Sequence, residues 1–256
     1  MRYLFMSVIL AVVSTLVFPM VTIAEPAQQA AAKSSLAGVW NSFGGGRSLT
    51  NQAPPMTREG KAKFDSNKPS YGDRAIPPAQ GNDPVGNCDP LGLVRLILFG
   101  RPFELVVLPD RVVQFFEWTH VWRDIWTDGR KLPEDPDLRW YGYSVGRWEG
   151  DTLVVESSGF NDGTWLDQFG NPYSSEMRLA ERYRRVGDTL ELNMTLTDPG
   201  TYTTPWVSDK KVSRLASKAS LTFDGWYGLR EEFCAPSVEQ KFNERVRNPA
   251  GGVTNR

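Results

Sequence analysis

The clearest structural signal in the chain is the stretch MRLAERYRRVGDTLELNMTLT, residues 177–197. Apolar side chains occupy every second position of its latter half, as expected of a strand with one buried face; they are Leu190, Leu192, Met194 and Leu196. Gly187-Asp188 lies between the two halves and is a turn signal. The stretch therefore predicts two antiparallel strands joined by a hairpin turn.

Short extended runs separated by turn residues continue on both sides of this hairpin. Pro109-Asp110 and Glu149-Gly150-Asp151 mark further hairpins, and no long helical pattern interrupts them. We therefore predict a mainly β fold, an antiparallel meander of about ten strands that closes into a lipocalin-like (calycin-like) barrel. The predicted strands are Leu36–Phe43, Leu93–Phe99, Phe103–Leu108, Arg111–Trp118, Val121–Thr127, Tyr141–Trp148, Thr152–Ser158, Met177–Val186, Thr189–Thr197, Thr201–Trp206, Ser213–Phe223 and Tyr227–Phe233.

The N-terminal part of the chain carries different signals. Residues 1–24 combine Arg2, a short apolar run and small residues before a cut site, which predicts a secretory signal peptide cleaved after Ala24. The alternative is a transmembrane anchor, but the run is shorter than the roughly 20 apolar residues that a span needs. We expect a disordered leader at 25–35 and a periplasmic or secreted protein with no membrane anchor after cleavage.

Residues 36–256 are predicted to form a single barrel domain. Its first part, 36–92, is a long loop-rich region with many Gly and Pro residues. Thr57 is predicted to be the N-cap of a short helix within that region. At the other end of the chain, Ser237–Val246 is the best candidate for a C-terminal helix, with apolar residues at a spacing of four.

Composition narrows the possible functions. The 256 residues include 29 Lys+Arg and 30 Asp+Glu, a formal net charge of −1, and this balance argues against nucleic-acid binding by bulk electrostatics. The chain has one His and two Cys, so we expect no metal centre of His and Cys ligands and no cofactor. Asp135 and Asp137 lack the ligand spacing of a known calcium loop.

The two cysteines are Cys88 and Cys234. An oxidising compartment favours joining them, and we predict a disulfide between them. A nucleophilic thiol is the alternative, although no His-based partner pattern accompanies either residue.

The segment Gly159–Glu176 joins two predicted hairpins and holds most candidates for chemistry. Neighbouring carboxylates can divide acid and base roles because like charges separate their pKa values. The candidate catalytic residues are Asp162, Asp167, Glu176 and His120. The alternatives are that Asp residues in a Gly-rich loop make turns and caps, and that His120 is a packed histidine.

A second group of candidates could bind a ligand. Glu117 and Arg123 share a predicted strand face; inside a barrel they would form a structural ion pair or meet a polar ligand. The Trp residues nearby could be core, line an apolar cavity or stack on sugars. If the chain stays extended through Thr119, the aromatic residues form a wall on the opposite face, whereas a bend at Thr119-His120 would break this register. The candidate ligand-binding residues are Glu117, Trp118, Trp122, Arg123, Tyr143, Trp165, Tyr173, Glu181 and Arg182.

Two resemblances follow from short motifs. Gly38-Val39-Trp40 is similar to the Gly-x-Trp opening of lipocalins, which bind small apolar molecules in a barrel. A longer set of motifs resembles a family of uncharacterised exported bacterial proteins: IWTDGR at 125–130, GYSVGRWEGDTLVV at 142–155, GFND at 159–162, TWLD at 164–167 and ERYRR at 181–185. That resemblance implies export and a shared β fold, without an established activity. Members of the family often have His where this chain has Tyr143 and Tyr173.

Three hypotheses about function result. The leading one is an exported β-barrel that binds a small apolar or amphipathic molecule, with Arg123, Glu117 and the 162–167 loop at the polar end of the site. The second is a cofactor-independent periplasmic hydrolase, lyase or isomerase that uses carboxylate acid/base chemistry. The third is a structural or assembly protein without a pocket.

Overall fold

The computed structural model of the protein describes residues 35–223, 225–242, 244 and 245. The predicted signal peptide and all but the last residue of the predicted leader lie outside these residues. The strands are β1 Gly38–Trp40, β2 Phe103–Val107, β3 Arg111–Phe116, β4 Trp122–Trp126, β5 Tyr143–Glu149, β6 Thr152–Ser158, β7 Arg178–Val186, β8 Thr189–Thr197, β9 Trp206–Val207, β10 Lys211–Arg214, β11 Thr222–Phe223 and β12 Trp226–Tyr227. The helices are α1 Arg58–Ser66, α2 Leu93–Ile97, α3 Lys218–Leu221 and α4 Pro236–Phe242.

Ten of the strands form one sheet, which curls into a half-barrel. Its order is β1-β2-β3-β4-β5-β6-β7-β8-β10, with β9 paired to β8, while β11 and β12 form a separate hairpin. The prediction of a mainly β fold is therefore confirmed. The hairpin 177–197 is also confirmed, because β7 and β8 pair antiparallel from Arg178↔Thr197 to Val186↔Thr189.

The expectation of a purely antiparallel meander is wrong at one place. β4 and β5 are parallel, with Ile125 opposite Ser144 and Trp126 opposite Val145. A parallel pair needs a crossover that carries the chain back to the starting end of the sheet, and residues 127–142 make this crossover without a helix. The fold is thus a mixed sheet in which a long irregular connection lies over β4 and β5.

The apolar run Leu93–Phe99 is a helix where a strand was predicted. All five residues of α2 are buried, and a helix that is buried on every side has no polar stripe to show its period. Arg95 of α2 is buried with them and forms two hydrogen bonds with Asp83, of 2.9 and 2.7 Å. A continuous apolar run of this length does not distinguish the two structures.

The C-terminal third contains less strand than predicted. Thr201–Trp206 contributes only Trp206 to a regular strand, and Tyr227–Phe233 contributes only Tyr227. Ser213–Phe223 is interrupted by α3, whose N-cap Ser217 accepts a hydrogen bond from the Ser220 amide. The predicted C-terminal helix exists as α4, and Val246 lies outside the described residues. Thr57 caps α1 as predicted, accepting from the Gly60 amide at 3.0 Å.

The two end strands of the sheet come close together. The amides of Asn41 and Gly44 donate to the carbonyls of Arg214 and Val212, each at 2.9 Å, and the Ala216 amide donates to Val39 at 2.8 Å. The curl encloses the core, which includes Trp40, Phe103, Tyr183 and the four apolar residues of β8. The alternation in β8 predicts its burial correctly.

The predicted disulfide is confirmed. Cys88 and Cys234 are bonded, with their Cα atoms 5.4 Å apart. The bond links the loop before α2 to the segment that precedes α4, 146 residues later. It holds the C-terminal segment against the sheet, where the Thr119 amide donates to the Glu232 carbonyl at 2.7 Å.

The strand register breaks between β3 and β4. Thr119 and His120 both adopt positive φ angles, 56° and 49°, a conformation that favours a turn over an extended chain. Trp122 consequently lies on the outer face of the sheet and is 57% exposed, whereas Phe116 faces the core. The bend at Thr119-His120 thus breaks the register, and the single aromatic wall of an extended chain does not form.

Candidate functional site

The interior of the curled sheet contains a buried ion pair rather than an open apolar space at its centre. Arg123 of β4 donates two hydrogen bonds to Glu181 of β7, at 2.9 and 2.7 Å. Burial disfavours the charge on Arg123, but Glu181 and Tyr183 outweigh it, so the pKa of Arg123 is raised. The predicted pairing of Arg123 with Glu117 is wrong, because Glu117 instead accepts a hydrogen bond from the Arg230 amide at 3.0 Å.

Neighbouring polar side chains complete this buried network. Arg123 Nε donates to Gln114 at 2.9 Å, and the Tyr183 hydroxyl donates to Glu181 at 2.6 Å. Burial raises the pKa of Tyr183 well above its ordinary value, and the neighbouring Glu181 adds to the shift. A tyrosine that stays protonated and a carboxylate that is fully engaged are suited to holding a structure together.

An aromatic groove lies on the opposite, outer side of β4 and β5. We use this name for the cavity of about 750 Å³ between the outer face of these strands and the crossover 127–142. Its aromatic lining comprises Trp122, Trp126, Trp140, Tyr141 and Tyr143, and its charged lining comprises Arg123, Asp124, Arg130, Lys131 and Arg139. The groove exists because the parallel β4–β5 pair requires a crossover.

Local contacts fix the crossover against the sheet. The Arg139 amide donates to Gly159 and the Asn161 amide donates to Arg139, both at 2.9 Å. Gly163 lets the Trp140 ring approach closely, since a Cβ there would lie 2.9 Å from the ring. The start of the 159–176 loop is thus attached to the groove, and Asn161 lines it.

Aromatic faces in the groove differ in what covers them. The guanidinium groups of Arg130 and Arg111 lie 3.6 and 4.9 Å from the Trp126 ring centre. Arg139 lies 4.2 Å from the Tyr143 ring centre. Trp122 stacks on Phe115 at 5.8 Å and remains more than half exposed. Of these rings, Trp122 therefore offers the most open surface to a bound molecule.

Burial also affects Tyr141 on the groove lining. It raises the pKa of Tyr141 to about 12, so this hydroxyl is a neutral donor and acceptor at physiological pH. Tyr173 is buried in the adjoining loop, and burial raises its pKa too. Its hydroxyl and that of Thr164 are buried without a hydrogen-bond partner among the described residues.

The four catalytic candidates have separate surroundings. Asp162 forms an exposed ion pair with Lys63 of α1, and Glu176 is exposed. The half-buried His120 donates through Nε2 to the Arg230 carbonyl at 2.6 Å. Asp167 is fully buried. Among the described residues, no hydrogen bond or ion pair joins any two of these four groups.

Asp167 is enclosed by donors. Its carboxylate accepts from the Ser48 hydroxyl, from the Phe169 and Asn171 amides at 2.9 and 3.3 Å, and from the Asn171 side chain at 2.8 Å. Burial nevertheless raises the pKa of Asp167. This arrangement resembles an Asx turn, the alternative considered from the sequence, and it orders the loop beside a second cavity of about 890 Å³ lined by Ser48, Phe169 and Asn171.

The ligand-binding candidates are divided among several places. Trp122, Arg123 and Tyr143 border the aromatic groove, but the Arg123 guanidinium points into the interior of the sheet, where it binds Glu181. Trp165 and Tyr173 are buried. Trp118 packs on Phe99, with the ring centres 4.8 Å apart. Arg182 lies on the outer face of β7 and pairs with Glu149 at 2.9 Å.

Several groove residues were missed from the sequence. Lys131 belongs to a charged turn, Asp128–Pro133, that its residue types predict to be solvated, and no role was predicted for Arg139. Tyr141 was predicted only as the start of a strand, and Trp140 was one of the Trp residues that could be core, line a cavity or stack on sugars. Their signal is the density of aromatic and basic residues in one connection between two strands, Arg130-Lys131 followed by Arg139-Trp140-Tyr141. Only the parallel crossover places that segment over β4.

The described residues provide neither a metal cluster nor a membrane-spanning helix. Among residues 35–223, 225–242, 244 and 245, no cluster of three or more His, Cys, Asp or Glu side chains could hold a metal ion. Within the same residues, none of the helices has the length and apolar character needed to cross a membrane.

Neither a protein-family model nor a curated protein matches the chain.

Proposed function

We propose that this protein is an exported binding protein that holds a small, largely apolar or amphipathic molecule in the aromatic groove. The observation that supports the proposal is the groove itself, with five aromatic side chains around a volume of about 750 Å³. Ligand sites are typically concave, mostly apolar and of comparable volume, with a few polar groups that orient the ligand.

The outer groove suits a ligand better than the interior of the sheet. Apolar core residues, α2 and the Arg123–Glu181 pair occupy the interior. Entry of a molecule there would require separation of a buried ion pair, which is costly. The groove needs no such change, because the open face of Trp122 already meets solvent.

The second cavity is a weaker candidate for the same role. Its Ser48 hydroxyl and Asn171 side chain both donate to Asp167, and its Arg74 donates to the Asn67 carbonyl at 2.7 Å while lying 3.9 Å from the Phe64 ring centre. The Ser48 and Asn171 side chains are thus engaged within the protein, and of these polar groups only Arg74, through its buried Nη1, keeps a donor without a hydrogen-bond partner among the described residues.

The proposal also includes export of the protein, its membership of a protein family and the closure of its sheet into a barrel. Export to the periplasm or outside the cell is supported by the leader pattern at 1–24 and by the disulfide, which persists in oxidising compartments. Membership of the family of exported bacterial proteins rests on the motifs at 125–185. Closure of the curled sheet into a lipocalin-like barrel is supported by the hydrogen bonds between the β1 and β10 segments.

A neutral fluorescent probe tests binding in the groove. We expect the mature protein to bind N-phenyl-1-naphthylamine saturably, and Trp122→Ala to weaken binding about two- to tenfold, because stacking on an aromatic face contributes roughly 0.5–1.5 kcal/mol. Trp226→Ala is the matched control, since Trp226 is 83% exposed on the separate β11–β12 hairpin. Absence of saturable binding, or equal losses in both variants, would contradict the proposal.

A further inference from the structure

The charges that line the aromatic groove are unequally compensated. Arg123 is neutralised by Glu181. Arg130 pairs with Asp128 at 2.6 Å, and Asp124 pairs with Arg111 at 2.9 Å. These three lining charges thus each have a partner of opposite sign.

Lys131 and Arg139 are the remaining lining charges. Neither forms an ion pair with a carboxylate among the described residues, and both are exposed. Arg139 rests on the Tyr143 ring, an arrangement that holds the guanidinium in place while leaving its N–H groups free to bind an anion. The groove therefore has two cations able to accept a negative ligand group.

Acidic residues of the same crossover do not cancel this charge inside the groove. Glu134, Asp135 and Asp137 are exposed, and none of them lines the cavity. Carboxylates in open solvent are screened, so their effect on a group held inside the groove is reduced.

The open Trp122 face completes the recognition surface. One side of this ring is occupied by Phe115, with the two ring planes inclined by 18°. A flat ring could stack on the exposed part, and a planar aromatic system gains most from such a contact. An aliphatic chain would bury apolar area there but would gain nothing from ring stacking.

We infer that the ligand is a planar aromatic acid, whose ring system stacks on Trp122 and whose carboxylate or sulfonate is bound by Lys131 and Arg139. This inference rests on the function proposed above and adds the chemical class of the ligand. Planarity follows from the open indole face, and the negative charge follows from the two cations that lack carboxylate partners.

Two probes with the same ring system isolate the contribution of the negative charge to binding. 1-Anilinonaphthalene-8-sulfonate carries a sulfonate that N-phenyl-1-naphthylamine lacks. We expect the mature protein to bind the sulfonate probe about tenfold more tightly than the neutral one, since each of two exposed charge contacts adds up to roughly fivefold in affinity. Added salt should reduce the difference.

Charge-removing variants locate the anion site. Lys131→Gln with Arg139→Gln should weaken the sulfonate probe about tenfold or more while changing the neutral probe by less than about twofold. The matched control is Arg58→Gln with Lys210→Gln, which removes the same charge from exposed side chains outside the groove lining. Trp122→Ala should weaken both probes.

The outcomes distinguish this inference from the proposed function. Equal affinity for the two probes, or equal losses in the groove and control charge variants, would overturn the inference and leave a neutral-ligand site. Failure of both probes to bind would overturn the proposed function as well. Preference for the sulfonate that depends on Lys131 and Arg139 supports both.

Discussion

The two faces of β7 carry the same kinds of charged side chain in opposite environments. Glu181 points inward, is fully buried and binds Arg123 through two hydrogen bonds. Arg182, its neighbour in sequence, points outward and pairs with Glu149, with both side chains about half exposed. The effect of an ion pair on stability depends on how far its two members are removed from water. On β7 this burial differs between two adjacent residues, Glu181 and Arg182.

The largest effect that tests this difference should come from Glu181→Gln. It leaves the Arg123 charge buried without a carboxylate, and loss of one partner of a buried pair costs about 3–5 kcal/mol. Urea denaturation monitored by Trp fluorescence would measure the free energy of unfolding.

A double variant controls for the loss of packing. Arg123→Met with Glu181→Leu removes both charges together, and we expect it to recover most of the stability lost in Glu181→Gln, since well-packed apolar replacements of buried pairs are often neutral. If Glu181→Gln is as stable as the wild type, the contrast between the two faces is wrong.

A smaller effect is expected in the loop region, where a buried carboxylate has hydrogen bonds but no cation. Ser48→Ala removes one donor to Asp167, and a hydrogen bond to a charged group contributes about 1.5–3 kcal/mol. Ser66→Ala is the control, because the Ser66 hydroxyl is an exposed donor to the Lys63 carbonyl. Equal denaturation midpoints for the two variants would show that Ser48 does not support Asp167.

The same carboxylate should make stability depend on pH. Burial raises the pKa of Asp167 in the folded protein, so the folded state favours its protonated form. Its contribution to stability is fully present below the pKa of the unfolded chain and is lost as pH rises through the folded value. Relative to Asp167→Asn, the wild type should lose stability as pH rises above about 4, the ordinary range of an aspartate, toward its raised folded-state pKa. A constant difference between the two proteins across that range would contradict the assignment.

The smallest effect should come from the outer face. Arg182→Ala breaks an exposed pair that solvent screens, and we expect the free energy of unfolding to stay within the error of a denaturation measurement. A loss approaching that of Glu181→Gln would mean that the outer pairs act as a cooperative network, and it would remove the distinction between the two faces.

Much of the sheet could be predicted from the sequence because its strands have one wet face. Alternation in β8 and the turn at Gly187-Asp188 gave correct strand limits, and Thr152–Ser158 was correct at both ends. Prediction failed where a segment is buried on all sides, as in α2. A bend at Thr119-His120 could only be left open, because two adjacent residues of positive φ leave no distinctive pattern in their residue types.

The candidate site was predictable only in part, and for a physical reason. Trp122, Arg123 and Tyr143 were identified from their residue types and do line the groove. Lys131 and Arg139 were not, since their importance depends on a crossover that brings a distant segment over β4. Pairing between strands that are far apart in sequence is set by the packing of the whole sheet, which local patterns do not encode.

The parallel β4–β5 pair also divides the sheet into two sets of strands. β1–β4 and β5–β10 each pair only antiparallel, and β4 meets β5 over just two residue positions per strand. The β4–β5 pair therefore joins the two sets through few backbone hydrogen bonds. A molecule in the groove would contact Trp122 from one set of strands and Tyr143 from the other, and its binding would reinforce this narrow junction.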